Sequence, residues 1–317
     1  MKRIASSCCL ALVGLAVAQL YLTFIHFDLG PRNGLAALVA GTAERPFVYR
    51  QLAPLLIRAI MAATGVGLEL AATWLIVASF VGWLLALRWL ADALFEPAGA
   101  SWAAVIAAGP VGLLFVSGGY IYDPVTLALF TLALALLAHR HWMAYLVLFP
   151  ALVLCRETAI LLVPVWLLWG WDHAESGRYR RGLAWQVVIF VSVKNALAQI
   201  YAGSAGQALE FNLPAHLAFL LQYPLPNILA LSVYGAGLAA ALWRWKTQPP
   251  FLQAAAVMLP AMFLAYWLLG YPGEIRVFLE VYPVLYLLAW HTVWDRGVLP
   301  TVRFMRRRPL GSAYDTL

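Results

Sequence analysis

Apolar residues occur along this chain in long continuous runs, and short polar segments separate the runs. A helix needs about 20 apolar residues to cross a bilayer, whereas a transmembrane barrel would show short segments of alternating polarity. The pattern predicts helical spans over residues 9–27, 68–90, 101–118, 122–138, 142–154, 158–171, 182–201, 224–243, 251–270 and 277–294. We therefore expect an all-α polytopic membrane bundle of about ten spans.

Two neighbouring runs, 142–154 and 158–171, are too short to cross alone, because a helix rises only about 1.5 Å per residue. Pro150 and Pro164 lie inside these runs, and Arg156-Glu157 stands between them. We predict a broken pair of short helices whose polar tip lies within the membrane or near one face. Both a spanning and a re-entrant arrangement satisfy the pattern.

The composition agrees with a membrane protein. Of the 317 residues, 64% are hydrophobic and only 11% are charged, and the mean hydropathy is +0.82. Soluble domains carry about 25% charged residues, so this chain lacks the polar surface of a soluble enzyme, a disordered chain or a disulfide scaffold. Cys8, Cys9 and Cys155 lie in or beside apolar runs and show neither metal-ligand spacing nor a disulfide framework.

The first run follows Met1-Lys2-Arg3 and contains Ala16-Val17-Ala18, a pattern shared with cleavable signal peptides. Because the run continues to Phe27 and is long enough to span, we favour an uncleaved first helix.

The basic residues set the predicted orientation. Lys and Arg collect in cytoplasmic loops, and placing the N-terminus inside puts most of the 21 basic residues on the inner side. Both termini are therefore predicted to be cytoplasmic, in a multi-pass protein of a bacterial-type inner (plasma) membrane. Residues 1–300 would form a single transmembrane domain, and residues 301–317 would form a basic, then polar, cytoplasmic tail. The net charge of +7 reflects these loops, so we expect no nucleic-acid partner.

The same path brings unusual polar residues to the outer side. They fall in four separated segments, 26–58, 120–123, 156–157 and 274–276, and this clustering predicts a binding or active site that faces outward. Acids predicted at or near this face are Asp28, Glu44, Asp123, Glu157, Glu210, Glu274 and Glu280.

Two outer loops complete the predicted outer face. The loop 28–67 includes an arginine-punctuated apolar stretch, 46–58, that suits a helix lying in the interface with its arginines reaching the headgroups. The polar, glycine-rich loop 202–223 is predicted to be a mobile cover.

Several charged residues near the hydrocarbon have both a structural and a functional interpretation. Asp123, followed by Pro124, suits a helix N-cap as well as a carboxylate at a site rim. Arg156 and Glu157 form either a mutual ion pair at the hairpin tip or a functional pair. Because adjacent residues on a helix do not face each other, we favour separate partners and a functional role.

Three further positions carry similar alternatives. Glu274 and Arg276 form either a turn with an interface anchor or a phosphate-binding pair on one side of an extended segment. Lys194 lies within a span and meets either an acid or a phosphate. Asp28 is either a solvated helix end or a general base.

The order of these motifs resembles the GT-C superfamily of multispanning membrane glycosyltransferases, in its protein mannosyltransferase and lipid A aminoarabinose transferase branch. The matching features are Asp28 after the first span, Pro46-Phe47-Val48-Tyr49-Arg50, Asp123-Pro124, Arg156-Glu157-Thr158-Ala159, and Arg276-Val277-Phe278 leading to Tyr282-Pro283. Two features depart from the family: Leu29 stands where Glu commonly follows the first acid, and only a short tail follows the last span.

The resemblance implies transfer of a sugar from a polyprenyl-phosphate donor to an acceptor at the outer face. It implies that Asp28 is the catalytic base and that Arg50, Arg156 and Arg276 bind the leaving phosphate. Asp123, Glu157 and Glu274 would orient these arginines or bind sugar hydroxyls. Tyr49 and Tyr122 would stack on the sugar. The donor's lipid tail would lie between spans, next to membrane lipid. The acceptor-binding part would be missing, supplied by a partner protein, or unnecessary. Carboxylates suit Mg²⁺ or Mn²⁺, so a divalent metal is open, although no spacing demands a cofactor.

Two other functions fit the same charges. One is a transporter of a lipid-linked substrate or a non-catalytic membrane subunit, in which the charges form a gate or a docking patch. The other is a purely structural role, in which the charges hold the helices together.

Overall fold

The computed structural model of the chain describes residues 2–28, 30–115, 118–173, 175–223 and 245–294, with positions 225, 228, 232, 235, 238, 239 and 241–243. Most of the predicted span 224–243 and the whole of the tail 301–317 lie outside the described residues. Regular secondary structure in the described part is helical, and the exception is one isolated parallel bridge between Arg45 and Gly206.

The α-helices of the described part are α1 (Lys2–Phe24), α2 (Gly30–Asn33), α3 (Leu35–Ala40), α4 (Leu52–Thr64), α5 (Leu68–Asp92), α6 (Pro97–Ile106), α7 (Ala108–Leu113), α8 (Asp123–Ala138), α9 (Trp142–Cys155), α10 (Leu162–Trp169), α11 (Gly177–Ile200), α12 (Leu213–Gln222), α13 (Pro250–Ala255), α14 (Met258–Leu269) and α15 (Tyr282–Trp294). Short 3₁₀ helices cover Phe47–Tyr49, Glu157–Leu161, Trp171–His173, Trp245–Thr247 and Ile275–Glu280.

Four helical stretches in the described residues are long and apolar enough to cross a membrane. They are Ser7–Phe24 within α1, all of α5, all of α11, and Pro250–Leu269, which joins α13 and α14. The all-helical fold and the membrane character predicted from the sequence therefore agree with the structure. The other predicted spans are shorter or divided helices, so the ten-span arrangement stays a prediction.

The core is built around α5, which packs against α1, α4, α6 and α8. Phe80 and Trp83 of α5 are fully buried, and the rings of Phe80, Tyr21 and Phe115 meet edge to face, with centroids 4.7–5.5 Å apart. Gly14 allows the closest approach of α1, because a Cβ there would lie 2.9 Å from the Val81 Cα. Such small residues let helix backbones approach closely within membranes.

The predicted broken helical pair is confirmed. The α9 helix ends at Cys155, Arg156 is extended (φ −158°, ψ 146°), and a 3₁₀ turn leads into α10. The Trp166 ring on α10 lies 4.8 Å from that of Trp142 and 5.5 Å from that of Tyr145, both on the N-terminal half of α9. The two halves therefore fold back on each other, and the hairpin tip presents Arg156 and Glu157.

The first outer loop differs from its prediction. Instead of one helix over 46–58, a 3₁₀ turn at Phe47–Tyr49 precedes α4, which begins only at Leu52. The expectation that Arg50 reaches lipid headgroups is wrong, because its side chain is buried and ion-paired inside the protein. The physical reason is the break in the helix, which leaves Arg50 (φ −91°, ψ 68°) outside both helical segments and turned inward.

The second outer loop is tied to the first. The Arg45 N–H donates to the Ala205 carbonyl (2.8 Å), and the Arg32 guanidinium pairs with Glu210 (3.0 Å). The segment predicted as a cover thus contacts residues 32–45, and its second half, Leu213–Gln222, is helical.

Candidate functional site

The polar residues predicted to converge come together in one network of buried charge. It joins Arg50 of the first loop, Tyr120–Asp123 at the start of α8, Arg156 and Glu157 at the hairpin tip, and Glu274–Glu280 before α15. We call this set the ionic network. Its members come from four distant stretches of sequence, so the convergence predicted from the outer-face charges is confirmed for these residues.

Asp123 lies at the centre of the network and is fully buried. Its Oδ1 accepts a hydrogen bond from Arg156 Nη1 at 3.3 Å, and its Oδ2 lies 3.6 Å from Arg276 Nε. The backbone N–H of Tyr120 also donates to Oδ2, at 2.8 Å. Both sequence interpretations of Asp123 need correction. The N-cap residue of α8 is Tyr122, and Asp123 is the first residue of the helix, where the helix dipole favours a negative charge. Its carboxylate is buried between two arginines and does not lie at a rim.

Glycine is needed just before this segment. The Tyr21 hydroxyl donates to the Tyr120 carbonyl at 2.6 Å, and a Cβ at Gly119 would lie only 2.2 Å from that hydroxyl. Tyr21 thus anchors the Tyr120–Asp123 segment to α1 through a space that admits no side chain at position 119.

Arg156 and Glu157 have separate partners, as predicted from their adjacency. Arg156 Nε lies 2.9 Å from Oε1 of Glu280, which is fully buried, whereas Glu157 Oε1 accepts a hydrogen bond from Arg50 Nη2 at 3.0 Å. The backbone is extended at Arg156 and enters a 3₁₀ helix at Glu157, and across this change of conformation the two side chains reach different neighbours.

Arg276 and Glu274 form a third part of the network. Arg276 Nη2 donates to Glu274 Oε1 at 2.5 Å, and its guanidinium lies 3.8 Å from the centroid of the Tyr120 ring. Burial works against the charge of Arg276, but the carboxylates of Asp123 and Glu274 hold its pKa above the usual value. The two residues share one side as predicted, although Arg276 lies in a 3₁₀ turn and not in an extended segment.

Aromatic rings enclose the arginines. Arg50 Nη1 donates to the Tyr122 hydroxyl at 2.5 Å, and the guanidinium lies 4.7 Å from the Tyr122 ring and 5.4 Å from the Phe47 ring. Tyr49 instead is half-buried and packs against the apolar core. Phe47 is therefore the aromatic residue of the Phe47–Tyr49 turn that contacts Arg50, and the assignment of Tyr49 to sugar stacking stays a prediction.

The charges of the network vary in their exposure. The side chains of Asp123 and Glu280 are 0% exposed, that of Glu274 is 19% exposed, and that of Glu157 is 44% exposed. Partial burial disfavours the ionised form of Glu157, but Arg50, Lys194 and Arg156 outweigh this effect and hold its pKa at about 2. Glu157 is therefore an ionised carboxylate at the open side of the network.

Lys194 on α11 lies beside this open side and interacts electrostatically with Glu157. Its Nζ atom is shut off from solvent and makes no hydrogen bond within the described part of the chain. The α11 helix also packs against the Phe47–Tyr49 turn, which carries Arg50 at its end.

Asp28 lies apart from the ionic network. It is exposed, and its Oδ1 accepts a long hydrogen bond of 3.4 Å from the Gly30 N–H. No ion pair involves Asp28 among the described residues. The structure thus joins the predicted phosphate-binding arginines with one another but does not join them with the predicted base.

Sequence reasoning left Tyr120 and Glu280 of the ionic network, and the neighbouring Phe47, out of the candidate site residues. Glu280 carried a usable signal, since it is a lone acid inside an otherwise apolar stretch and such acids are usually paired or functional. Tyr120 lay in one of the four converging segments, but neither it nor Phe47 stood out as a site residue, because aromatic residues are common throughout this chain.

A divalent cation does not fit the centre of the network. Within the described residues, no group of three His, Cys, Asp or Glu side chains is placed to hold a metal ion. Arginine guanidinium groups already face both oxygens of Asp123 and would repel a cation.

Comparisons of the chain with family models, with curated proteins and with solved structures found no match. The observations that bear on function are therefore the ionic network and the apolar helices that hold it.

Proposed function

We propose that the protein is a membrane-embedded transferase that moves a sugar from a polyprenyl-phosphate donor to an acceptor at the outer face of a bacterial-type inner membrane. The observation that carries this proposal is the convergence of Arg50, Arg156 and Arg276 from separate segments onto one buried site. The order of motifs shared with GT-C glycosyltransferases supports the same reaction class.

The arginines suit a phosphate leaving group. A guanidinium donates hydrogen bonds in a planar fork that matches phosphate oxygens, and fixed donors stabilise the charge that develops as the sugar leaves. Arg156 and Arg276 are held by buried carboxylates and give the site its shape. Arg50 faces the open side, next to the Tyr122 ring, and is the arginine we assign to direct contact with the phosphate.

Asp28 is the carboxylate we assign as general base for the acceptor hydroxyl. Asp123 and Glu280 are poorly suited to accept a proton, because each is fully buried against an arginine. Asp28 is exposed at the start of the first loop and is free of ion pairs among the described residues. A base must come within hydrogen-bond reach of its proton, so the proposal requires the acceptor to bind between Asp28 and the arginines.

The membrane arrangement of the proposal has the N- and C-termini inside and about ten crossings. The donor's lipid tail would lie between helices, its phosphate at the ionic network, and its sugar outward. A partner protein, or a bound lipid, would present the acceptor.

The test is sugar transfer in proteoliposomes that contain polyprenyl-phosphate hexoses as donors. We expect the protein to consume donor and release polyprenyl phosphate, and we expect Arg50→Ala and Asp28→Asn to lower the rate by about 100-fold or more. Arg58→Ala is the matched control, since Arg58 is an exposed arginine of the same loop that contacts Gln51, and its rate should stay within about twofold of the wild-type rate.

Two results would contradict this function. Donor that crosses to the other leaflet chemically unchanged would identify a transporter. Variants that lose folding and turnover together, with no donor consumed by a folded protein, would indicate that the charges only hold the helices together.

A further inference from the structure

The ion pair between Arg50 and Glu157 is the most exposed link of the ionic network. The other carboxylates of the network are at most 19% exposed on the side chain, whereas Glu157 is 44% exposed. Solvent screens an ion pair more when one partner is partly open to it than when both partners are buried. Glu157 is therefore the carboxylate of this network that can leave its arginine at the lowest cost.

Lys194 supplies an independent observation at the same place. Its Nζ atom is buried without a hydrogen bond in the described residues, which is a costly state for an ammonium group. A buried polar group of this kind requires an explanation, and an absent anionic partner is the direct one. Glu157 interacts electrostatically with Lys194, but the hydrogen bond that its Oε1 accepts comes from Arg50 and not from Lys194.

We propose that the Glu157 carboxylate is an internal competitor that occupies an anion subsite formed by Arg50 and Lys194, and that a phosphate group on the substrate displaces it. This inference rests on the proposed function, because it names the place where the lipid-linked phosphate enters. It also implies that the Glu157 carboxylate occupies the anion subsite at the open side until the substrate phosphate displaces it.

The chemistry of the two anions explains why the exchange is favourable. A carboxylate offers two oxygens in one plane and a single charge. The phosphodiester of the donor also carries a single charge, but its non-bridging oxygens are arranged tetrahedrally and can face two separate donors. The polyprenyl phosphate released by the transfer is a monoester with about −1.5 to −2 charges and three acceptor oxygens. The phosphate can thus accept hydrogen bonds from Arg50 and Lys194 at once, whereas Glu157 accepts a hydrogen bond from Arg50 and none from Lys194. The displaced Glu157 turns to solvent, to which it is already partly open.

The buried carboxylates remain in place during this exchange. Asp123 and Glu280 are fully buried and hold Arg156, so a ligand that enters from the open side does not reach them. The exchange therefore changes one ion pair and leaves the rest of the network intact.

The test measures binding of dodecyl phosphate to the full-length chain in a neutral maltoside detergent, by isothermal titration calorimetry. Removing the competitor in Glu157→Gln should tighten binding by about three- to tenfold, which corresponds to at most ~1.4 kcal/mol. Lys194→Ala should weaken binding in both the wild-type and the Glu157→Gln backgrounds. Inorganic phosphate in a parallel titration separates recognition of the phosphate alone from recognition of the attached lipid chain.

Glu210→Gln is the matched control. It removes one negative charge from another ion pair near the first loop, that of Arg32, but lies outside the ionic network. Its affinity for dodecyl phosphate should equal that of the wild type, since Glu210 is paired with Arg32 and not with Arg50 or Lys194. If Glu210→Gln tightened binding as much as Glu157→Gln, a general change of surface charge would explain both, and the competitor would be refuted.

Other outcomes also decide the matter. A Glu157→Gln protein that keeps its melting temperature but binds dodecyl phosphate no better than the wild type overturns the proposal. Should Glu157→Gln fail to fold, Glu157→Asp keeps the charge but shortens the reach to Arg50, and it must still tighten binding. If sugar transfer proceeds normally while both variants bind as the wild type does, the competitor is excluded and the transferase proposal survives.

Discussion

At the residue scale, Arg156 pairs with two fully buried carboxylates of the ionic network. Its guanidinium faces Asp123 on one side and Glu280 on the other, and neither of these carboxylates is exposed. A buried ion pair adds little stability over an apolar replacement of equal shape, but removal of one partner leaves an uncompensated charge in a medium of low dielectric constant. The network therefore makes the fold sensitive to loss of its cations.

We expect Arg156→Ala to lower the free energy of unfolding by about 3–5 kcal/mol, because it leaves Asp123 and Glu280 without their shared cation. Thermal unfolding in detergent measures the loss. The double variant Arg156→Met with Glu280→Gln should recover part of it, since one of the stranded charges is gone. Arg32→Ala is the control, because its partly exposed pair with Glu210 should contribute only about 0–1 kcal/mol. Equal melting temperatures for Arg156→Ala and Arg32→Ala would contradict this account.

The same residues show what the sequence could reveal of the site. A charge inside an apolar run is conspicuous, so Asp123, Arg156 and Arg276 were identifiable from the sequence. Their pairing was not, because Asp123 binds Arg156 across 33 positions of the chain and Arg276 across many more. Position along a sequence does not determine which carboxylate meets which guanidinium once helices pack.

At the element scale, prolines explain where predicted spans divide. The run 101–118 forms α6 and α7 with a break before Pro110, and the run 251–270 forms α13 and α14 with a break before Pro260. Proline has no N–H to donate to the carbonyl four residues earlier, so the helix is interrupted there. Hydrophobicity alone predicts both runs correctly as apolar segments but is insensitive to these breaks. Pro150, by contrast, lies inside α9 without ending it.

The hairpin of α9 and α10 is closed by Trp166, which is almost fully buried and lies against Trp142, Tyr145 and Tyr179. We expect Trp166→Ala to lower the free energy of unfolding by about 3–5 kcal/mol, because it opens a large cavity between the two halves. Because the hairpin tip carries Arg156 and Glu157, binding of dodecyl phosphate should weaken as well. Calorimetric unfolding and the binding titration measure the two effects.

Trp171→Ala provides the comparison for this prediction. Trp171 follows the same hairpin but is 67% exposed, so its removal should change stability by no more than about 0.5 kcal/mol. If both tryptophan variants unfolded at the wild-type temperature, contacts other than those of Trp166 would hold the two halves together.

At the scale of the whole molecule, α11 relates the ionic network to the membrane. It has 24 residues, which at about 1.5 Å per residue makes it long enough to cross the hydrocarbon. Its C-terminal end lies by the first loop, since a Cβ at Gly41 would be 3.7 Å from the Tyr201 hydroxyl. Its N-terminal end follows Glu175. Thr42 and Glu175 therefore stand near opposite ends of one membrane-length helix, and Arg50 belongs to the loop on the Thr42 side.

This geometry yields a direct prediction of orientation. In a background with Cys8→Ser and Cys9→Ser, which replaces the two exposed native thiols, Thr42→Cys and Glu175→Cys each introduce one exposed thiol. We expect a membrane-impermeant maleimide added to intact cells to label Thr42→Cys and to leave Glu175→Cys unlabelled until the membrane is permeabilised, because the basic residues beyond Glu175 favour the cytoplasm. The reverse pattern would place the ionic network on the cytoplasmic side and would remove the basis for transfer at the outer face. Labelling of both thiols in intact cells would show that α11 does not cross the membrane.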